Sequence, residues 1–201
     1  MATATLTPAP APRPQTRITV EEYRRLVATG VIPENGRIEL IRGVLVERST
    51  INPPHATSIS RLRKQITRFE EQSVLVRIEA PIALSPDSGP VPDFAVVKGS
   101  EDDYEARHPG LEDIYLVIEV SDSSLAVDQT IKLQLYAEAK LPEYWIVNIP
   151  DRRVEVYTIP NSDDVSSYLH RQDYQSNEEV PVVVAEQMLV TIPVHEILPK
   201  S

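Results

Sequence analysis

Apolar positions along this chain change their period several times, and each change marks an element. From Leu116 the run Leu116-Val117-Ile118 is broken by Glu119 and resumes at Val120. Near Asp128 it gives way to a helical pattern that carries Lys132, and a second apolar run covers Tyr144 to Val147. Short β-branched runs bounded by polar residues read as buried strands, and a 3.6-residue period reads as a helix, so the predicted order is strand, loop, helix, strand. A carboxylate inside a buried strand is costly unless something compensates it. Glu119 is therefore the first residue to single out.

Upstream, Thr19 with Glu22 three positions on forms a capping box and predicts a helix that ends near Gly30. The runs RIELI and VLVER flank Arg42-Gly43 and read as a hairpin over Arg37 to Arg48. Within it Glu39 alternates with Ile38 and Leu40 and should face away from them. Taken locally, that describes a solvated glutamate on an edge strand. After Asn52-Pro53-Pro54 a helix begins near His55, with Ile59, Leu62, Ile66 and Phe69 on its buried face. Val74 to Leu84 and Val91 to Val97 read as two strands separated by the turn-rich SPDSGP. Pro92 sets Asp93 near the start of the second, and the apolar Phe94 to Val97 suits a strand covered on both faces. Residues 98 to 113 read as a polar loop.

Downstream, Tyr144 and Trp145 read as core. Arg153 to Ile159 pairs with Tyr144 to Val147 through the turn at Pro150-Asp151. Val180 to Val184 and Met188 to Ile192 are late strands, and Val194 to Leu198 is a terminal helical turn. Residues 1 to 16, with prolines at positions 8, 10, 12 and 14, predict a disordered Ala/Pro-rich tail, which leaves 17–201 as a single domain. The strand–helix–strand unit combined with hairpins predicts an α/β-type fold of mixed α+β character.

Composition narrows the possible functions. A chain of 201 residues with 41% hydrophobic and 25% charged content matches a soluble globular protein with one proper core. No apolar run approaches the roughly 18 residues of a membrane helix, and no basic segment followed by an apolar core opens the chain, so a cytoplasmic location is expected. The absence of cysteine excludes disulfides and thiolate metal sites. A net charge of -10 argues against broad, non-specific nucleic-acid binding, which depends on positive charge. An enzyme acting on nucleic acid would need local positive charge within this acidic whole. Arg61, Lys64 and Arg68, with His55 at the start of the same helix, are the candidates to meet phosphates. The alternative for this stripe is a solvated helix face.

Phosphodiester hydrolysis calls for a metal to neutralise the phosphate, an oriented water and a positive group near the developing charge. Mg²⁺ (or Mn²⁺) takes carboxylate and carbonyl oxygens. Asp93 and Glu119 on neighbouring strands, with the Val120 carbonyl, are candidate ligands. Lys132 is the candidate to orient the attacking water or stabilise the transition state. Asp128 lies four residues before Lys132 on the same helix face, so a salt bridge between them is the competing reading.

Taken in order, these segments resemble the Uma-type restriction endonuclease family, a branch of the PD-(D/E)XK nuclease superfamily. The matching pieces are IELIRG around Glu39, PPH at 53 to 55, VPDFAVV around Asp93, LVIEVSDSS at Glu119, and DQTIKLQLYAEAKLPEYWIVN from Asp128 to Asn148. The likeness spans about residues 18 to 195. It implies a restriction-endonuclease-like central mixed β-sheet flanked by helices, a divalent-metal site, DNA as substrate and a homodimer. It also implies catalytic roles for Asp93, Glu119 and Lys132, with Glu39 either binding a second metal or backing the first ligands. Two features depart from the pattern. The superfamily's lysine usually follows the acid by two positions, which here is Ser121, and in this chain the lysine lies on the helix at Lys132. Arg42 stands where the family often has an acid, outside the proposed ligands. Two functions follow from the sequence: a metal-dependent DNA endonuclease, with an RNA-directed or structure-selective nuclease as its variant, and a non-catalytic nucleic-acid- or protein-binding module on a nuclease scaffold.

Overall fold

The computed structural model describes residues 17–33, 37–69, 74–185 and 187–200. The tail expected over residues 1 to 16 lies outside them. Thr19 caps the first helix, α1 (Val20–Ala28), by accepting from the Glu22 amide at 3.2 Å, while Glu22 returns the contact to the Thr19 amide at 2.7 Å. Strands β1 (Ile38–Ile41) and β2 (Val44–Glu47) then form the expected hairpin. Its two turn residues, Arg42 and Gly43, have φ of 49° and 75°, as the tight turn that matches strand twist requires. Helix α2 (Pro53–Ile66) begins where Asn52 accepts from the His55 amide at 3.0 Å.

Strands β3 (Val74–Ile78), β4 (Phe94–Lys98) and β5 (Ile114–Ser121) enter the central sheet. One helical segment follows, made of α3 (Leu125–Val127), a π-helical stretch at Asp128–Lys132 and α4 (Leu133–Glu138). Strands β6 (Glu143–Asn148), β7 (Arg153–Pro160) and β8 (Tyr168–Gln175) complete the sheet, in the order β3-β4-β5-β6-β7-β8. All neighbours are antiparallel except β5 and β6, which run parallel and therefore need the helical crossover between them. The hairpin β9 (Glu179–Val184) and β10 (Gln187–Pro193) leads into the short helix α5 (Val194–Ile197).

Alternation along the strands sorts the core into two layers. Phe94, Val96, Leu116, Ile118, Val120, Trp145 and Val147 pack with Leu62 and Ile66 of α2, with Val182 and Ile192 of the late hairpin, and with Ile197 of α5. On the opposite face Ala95, Val97, Val117, Tyr144 and Ile146 pack with Tyr136 and Leu141. Both faces are covered, which explains why β4 and β5 read as continuous apolar runs.

Several elements differ from the sequence reading, and the strand expected from Val91 begins at Phe94, just after Asp93. The strand expected over Val74 to Leu84 stops at Ile78, because Glu79 takes a φ of 47° and Pro81 follows. The residues beyond make only single bridges, Ala83 to Gly110 and Ser85 to Ser88. The helix expected near Asp128 begins at Leu125. The polar loop at 98 to 113 contains two short 3₁₀ turns, Glu101–Tyr104 and Leu111–Asp113. Strand β8 has no counterpart in the sequence reading, since most of its residues are exposed or half-buried and an edge strand of this kind shows no apolar alternation.

Leu62 is fully buried between α2 and the sheet. Leu62→Ala should cost about 2–5 kcal/mol of stability, read as a lower midpoint in urea denaturation with an unchanged slope.

Candidate active site

Sheet register brings the two key acids together. Phe94 pairs with Ile118, so the residue before β4 falls beside Glu119, on the face that packs against α4. The Asp93 amide donates to Glu119 Oε2 at 3.4 Å, and the Val120 amide donates to Asp93 Oδ2 at 2.8 Å. Both side chains are buried, at 4% and 3% exposure.

Two other segments close over this pair. Glu39 does not stand in solvent as an edge-strand residue; it is buried, and its Oε2 accepts from the Val91 amide at 3.0 Å. The hairpin lies against the loop before β4, which turns Glu39 inward. From the helical segment, Lys132 Nζ reaches Glu119 Oε1 at 2.9 Å and Glu39 Oε1 at 3.6 Å. The Tyr136 hydroxyl donates to the same Glu119 Oε1 at 2.7 Å. At the rim, His55 Nε2 lies 3.3 Å from Asp93 Oδ2, and Arg48 Nη2 lies 3.6 Å from Asp93 Oδ1. Glu39, His55, Asp93, Glu119, Val120 and Lys132 line one pocket of about 100 Å³.

The Asp128–Lys132 salt bridge does not form. Asp128 turns to Ser121 and Ser124, whose hydroxyls donate to its Oδ2 at 2.7 and 2.6 Å, which leaves the ammonium to Glu119 and Glu39. The intervening turn is π-helical: the Leu133 amide bonds to the Asp128 carbonyl, five residues back. Such turns are rare and concentrate at functional sites. Here a second buried carboxylate steadies the turn. Gln129 Nε2 donates to Glu155 Oε1 and Oε2 at 2.9 and 3.0 Å. Asn148 Nδ2 and the Tyr157 hydroxyl also donate to Glu155, at 2.7 and 2.8 Å. Burial pushes the Glu155 carboxyl up, but these donors outweigh it and hold the group below the usual carboxylate range.

Neither Tyr136 nor Glu155 was singled out from sequence. Tyr136 carries a usable signal, because it follows Lys132 by four residues and so shares its helix face. Glu155 is a lone acid among apolar neighbours in VEVYTI, the same signal that drew attention to Glu119.

The electrostatics divide the acids. For Asp93, burial favours the neutral form, but His55, the Val120 amide and Lys132 prevail and lower its pKa. For Glu119, burial dominates, and the nearby Asp93, Asp128 and Glu39 add to it against the pull of Lys132, so its pKa is pushed up to about 8. Burial opposes the charge on Lys132, yet the surrounding acids outweigh it and hold the ammonium protonated. Glu119 and Glu39 thus share one lysine, Asp93 meets Arg48 and His55 at the rim, and the carboxylates lining the pocket outnumber its Lys and Arg.

That deficit suits a hard divalent cation. Among the described residues no three His, Asp or Glu side chains converge closely enough to hold an ion unaided. Two carboxylates and a carbonyl completed by water is how Mg²⁺ usually binds, so the donor set fits.

The family described as "Uma2: Putative restriction endonuclease" matches residues 20–193. The chain belongs to the Uma2 family. A crystal structure from Anabaena variabilis ATCC 29413, titled a "putative nuclease belonging to DUF820", superposes with a TM-score of 0.59. It covers 90% of this chain and 97% of its own at 15% identity, which shows a shared fold. No curated protein matches the sequence.

In this Uma2 chain the candidate phosphate contacts separate. His55 joins the acidic pocket. Arg61 and Lys64 line a different cleft, toward the C-terminus. Arg68 is exposed on the 3₁₀ turn Thr67–Phe69 and borders neither.

The raised pKa of Glu119 has a consequence for stability. The folded protein holds a proton that the unfolded chain releases between the ordinary glutamate value of 4.5 and about 8, so stability falls as pH rises through that window. Burial raises Glu143 to about 7 and adds to the lower part of the same slope. In EDTA the melting temperature should drop from pH 6 to pH 8. The drop should be shallower in Glu119→Gln, and scanning fluorimetry at closely spaced pH values checks both.

Proposed function

We propose that this protein is a metal-dependent nuclease that hydrolyses phosphodiester bonds of DNA, with Mg²⁺ or Mn²⁺ as its ion. The observation that carries the reading is the Lys132 ammonium, 2.9 Å from Glu119, in a pocket shared with Asp93. Family membership supports it. Asp93, Glu119 and the Val120 carbonyl would hold the ion, which when bound supplies Lewis-acid charge at the phosphate and a more acidic water.

The chain's own groups act around it. Lys132 stays protonated in this pocket, so it serves as a fixed positive charge and not as a base. It would meet charge that grows on the phosphoryl oxygens, or hold the attacking water by hydrogen bonding. Tyr136 fixes the Glu119 oxygen that Lys132 touches. Glu39 backs the ammonium from the far side. His55 borders Asp93 at the mouth, where a nucleic-acid backbone would arrive. A non-catalytic module on this scaffold agrees with the net charge of -10, but it would gain nothing from a buried, under-neutralised acid cluster. Replacing such a cluster with apolar residues is often neutral or stabilising.

The test is incubation of plasmid and single-stranded DNA with Mg²⁺ or Mn²⁺, comparing the parent with Lys132 variants. Lys132→Ala should melt at a lower temperature yet remain folded with Mg²⁺ or Mn²⁺ present, still bind metal and lose about 10²–10³ in rate, the usual cost of removing a donor aimed at developing charge. Lys132→Arg should recover little, because a guanidinium does not replace a compact ammonium. Cleavage by Lys132→Ala at the parent rate would sink the reading.

We also propose that the chain works as a homodimer. Membership of the family supports this, as does the need of an acidic protomer for a composite surface to hold a duplex. Light scattering at micromolar concentration should give twice the mass of the chain, and a monomer mass would overturn it. Among the described residues no helix is long and apolar enough to cross a membrane.

A further inference from the structure

A cluster of positive charge lies outside the acidic pocket. Arg61 and Lys64 of α2, Arg152 of the β6–β7 turn, and His195 and Lys200 of the C-terminal segment line a cleft of about 550 Å³. The chain has 20 Lys and Arg against 30 Asp and Glu, so this clustering runs against its composition. The single acid at the cleft, Glu196, is engaged by Gln65 Nε2.

Among the described residues these cations are not paired with carboxylates. Among the described residues none of Arg61, Lys64, Arg152 and Lys200 has one within 4.0 Å. Two of them are nonetheless held in place. Arg61 donates to the Leu198 carbonyl, and Arg152 Nη1 donates to the Pro199 carbonyl at 3.0 Å. A guanidinium has five N–H donors, so each keeps most of its fork for something else. Like charges gathered on a concave surface repel one another, and an anion seated between them removes that cost. Planar forks beside compact ammonium groups match phosphate oxygens.

The helix itself gives the cleft its place relative to the pocket. His55, in the first turn of α2, touches Asp93, and Arg61 and Lys64 follow six and nine residues later. At 1.5 Å per residue that is roughly 9–14 Å along the helix axis. With about 3.4 Å of rise per nucleotide in a duplex strand, the separation corresponds to about three to four nucleotides.

We propose that the cleft between α2 and the C-terminal segment is a second phosphate-binding site, which grips the substrate backbone about three to four nucleotides from the scissile bond. The identity of the ligand rests on the nuclease reading above. The presence of an anion site rests on the cleft alone.

The test measures binding without cleavage. Fluorescence anisotropy of a labelled 20-nucleotide duplex in EDTA compares the parent with Lys64→Ala/Lys200→Ala, whose ammonium groups make no hydrogen bond or ion pair among the described residues. Equal melting temperatures establish that the variant folds. The variant should bind about tenfold more weakly. Its slope of log affinity against log salt should be shallower by about one to two, since each lost duplex phosphate contact accounts for about 0.9. With metal added, a trinucleotide, too short to reach the cleft, should be cut equally by both. Equal affinity and slope would overturn the proposal, and so would a parent that does not bind the duplex. If inorganic phosphate shifts the amide resonance of Lys200 while duplex binding is unchanged in the variant, the cleft takes small anions and the assignment to substrate backbone falls. A parent that binds with the expected slopes but cuts nothing would defeat the nuclease reading and leave the cleft standing.

Discussion

One buried ammonium holds the pocket together. Lys132 sits between Glu119 and Glu39, with Asp93 alongside, in a protein layer where an unpaired carboxylate would cost several kcal/mol. Each acid comes from a different part of the chain: a hairpin, the mouth of β4 and the middle of β5. The lysine is the charge that Glu39 and Glu119 have in common, and Asp93 is met from the rim by Arg48 and His55. The crossover helix, which the parallel pairing of β5 with β6 requires, must therefore lie over the sheet at one setting.

The helix is held at that setting by polar contacts on its underside. Asp128 is occupied by Ser121 and Ser124, and Gln129 by Glu155, so the two residues that begin the π-helical stretch are both anchored to strand ends. A regular α-helix would bring different backbone partners into register below Lys132. The widened turn is an energetic cost that the Glu155 network offsets, with hydrogen bonds from Asn148, Tyr157 and Arg153. Two carboxylates that look alike in sequence thus have opposite circumstances. Glu155 is held ionised by its donors, whereas burial and the neighbouring acids Asp93, Asp128 and Glu39 incline Glu119 to keep a proton.

Much of this was legible because strand positions alternate. Asp93 at a strand mouth and Glu119 within an apolar run were conspicuous for breaking a pattern. Tyr144 and Trp145 were identifiable as core from type alone, and both are fully buried. Glu39 was not legible locally. Its burial comes from docking of the hairpin against Val91, a contact made across a long stretch of sequence that periodicity does not record. Lys132 was ambiguous for a different reason. Spacing offers Asp128 as a partner, and only the serines that claim Asp128 decide the matter. Strand β8 was invisible because most of its side chains remain in contact with solvent.

The hydrogen bond from Val91 to Glu39 and the ion pair from Lys132 to the same residue join the early hairpin to the crossover helix, with three of the six sheet strands between them in sequence. The pocket therefore contains no local fragment that is complete by itself. During synthesis, neither the hairpin nor the first three sheet strands has the lysine, and the helix emerges before β6 exists to hold it against β5. A chain cut short before residue 132 carries the acids without the group that organises them. The activity proposed above would then be absent from such unfinished chains, which are made amid messenger RNA.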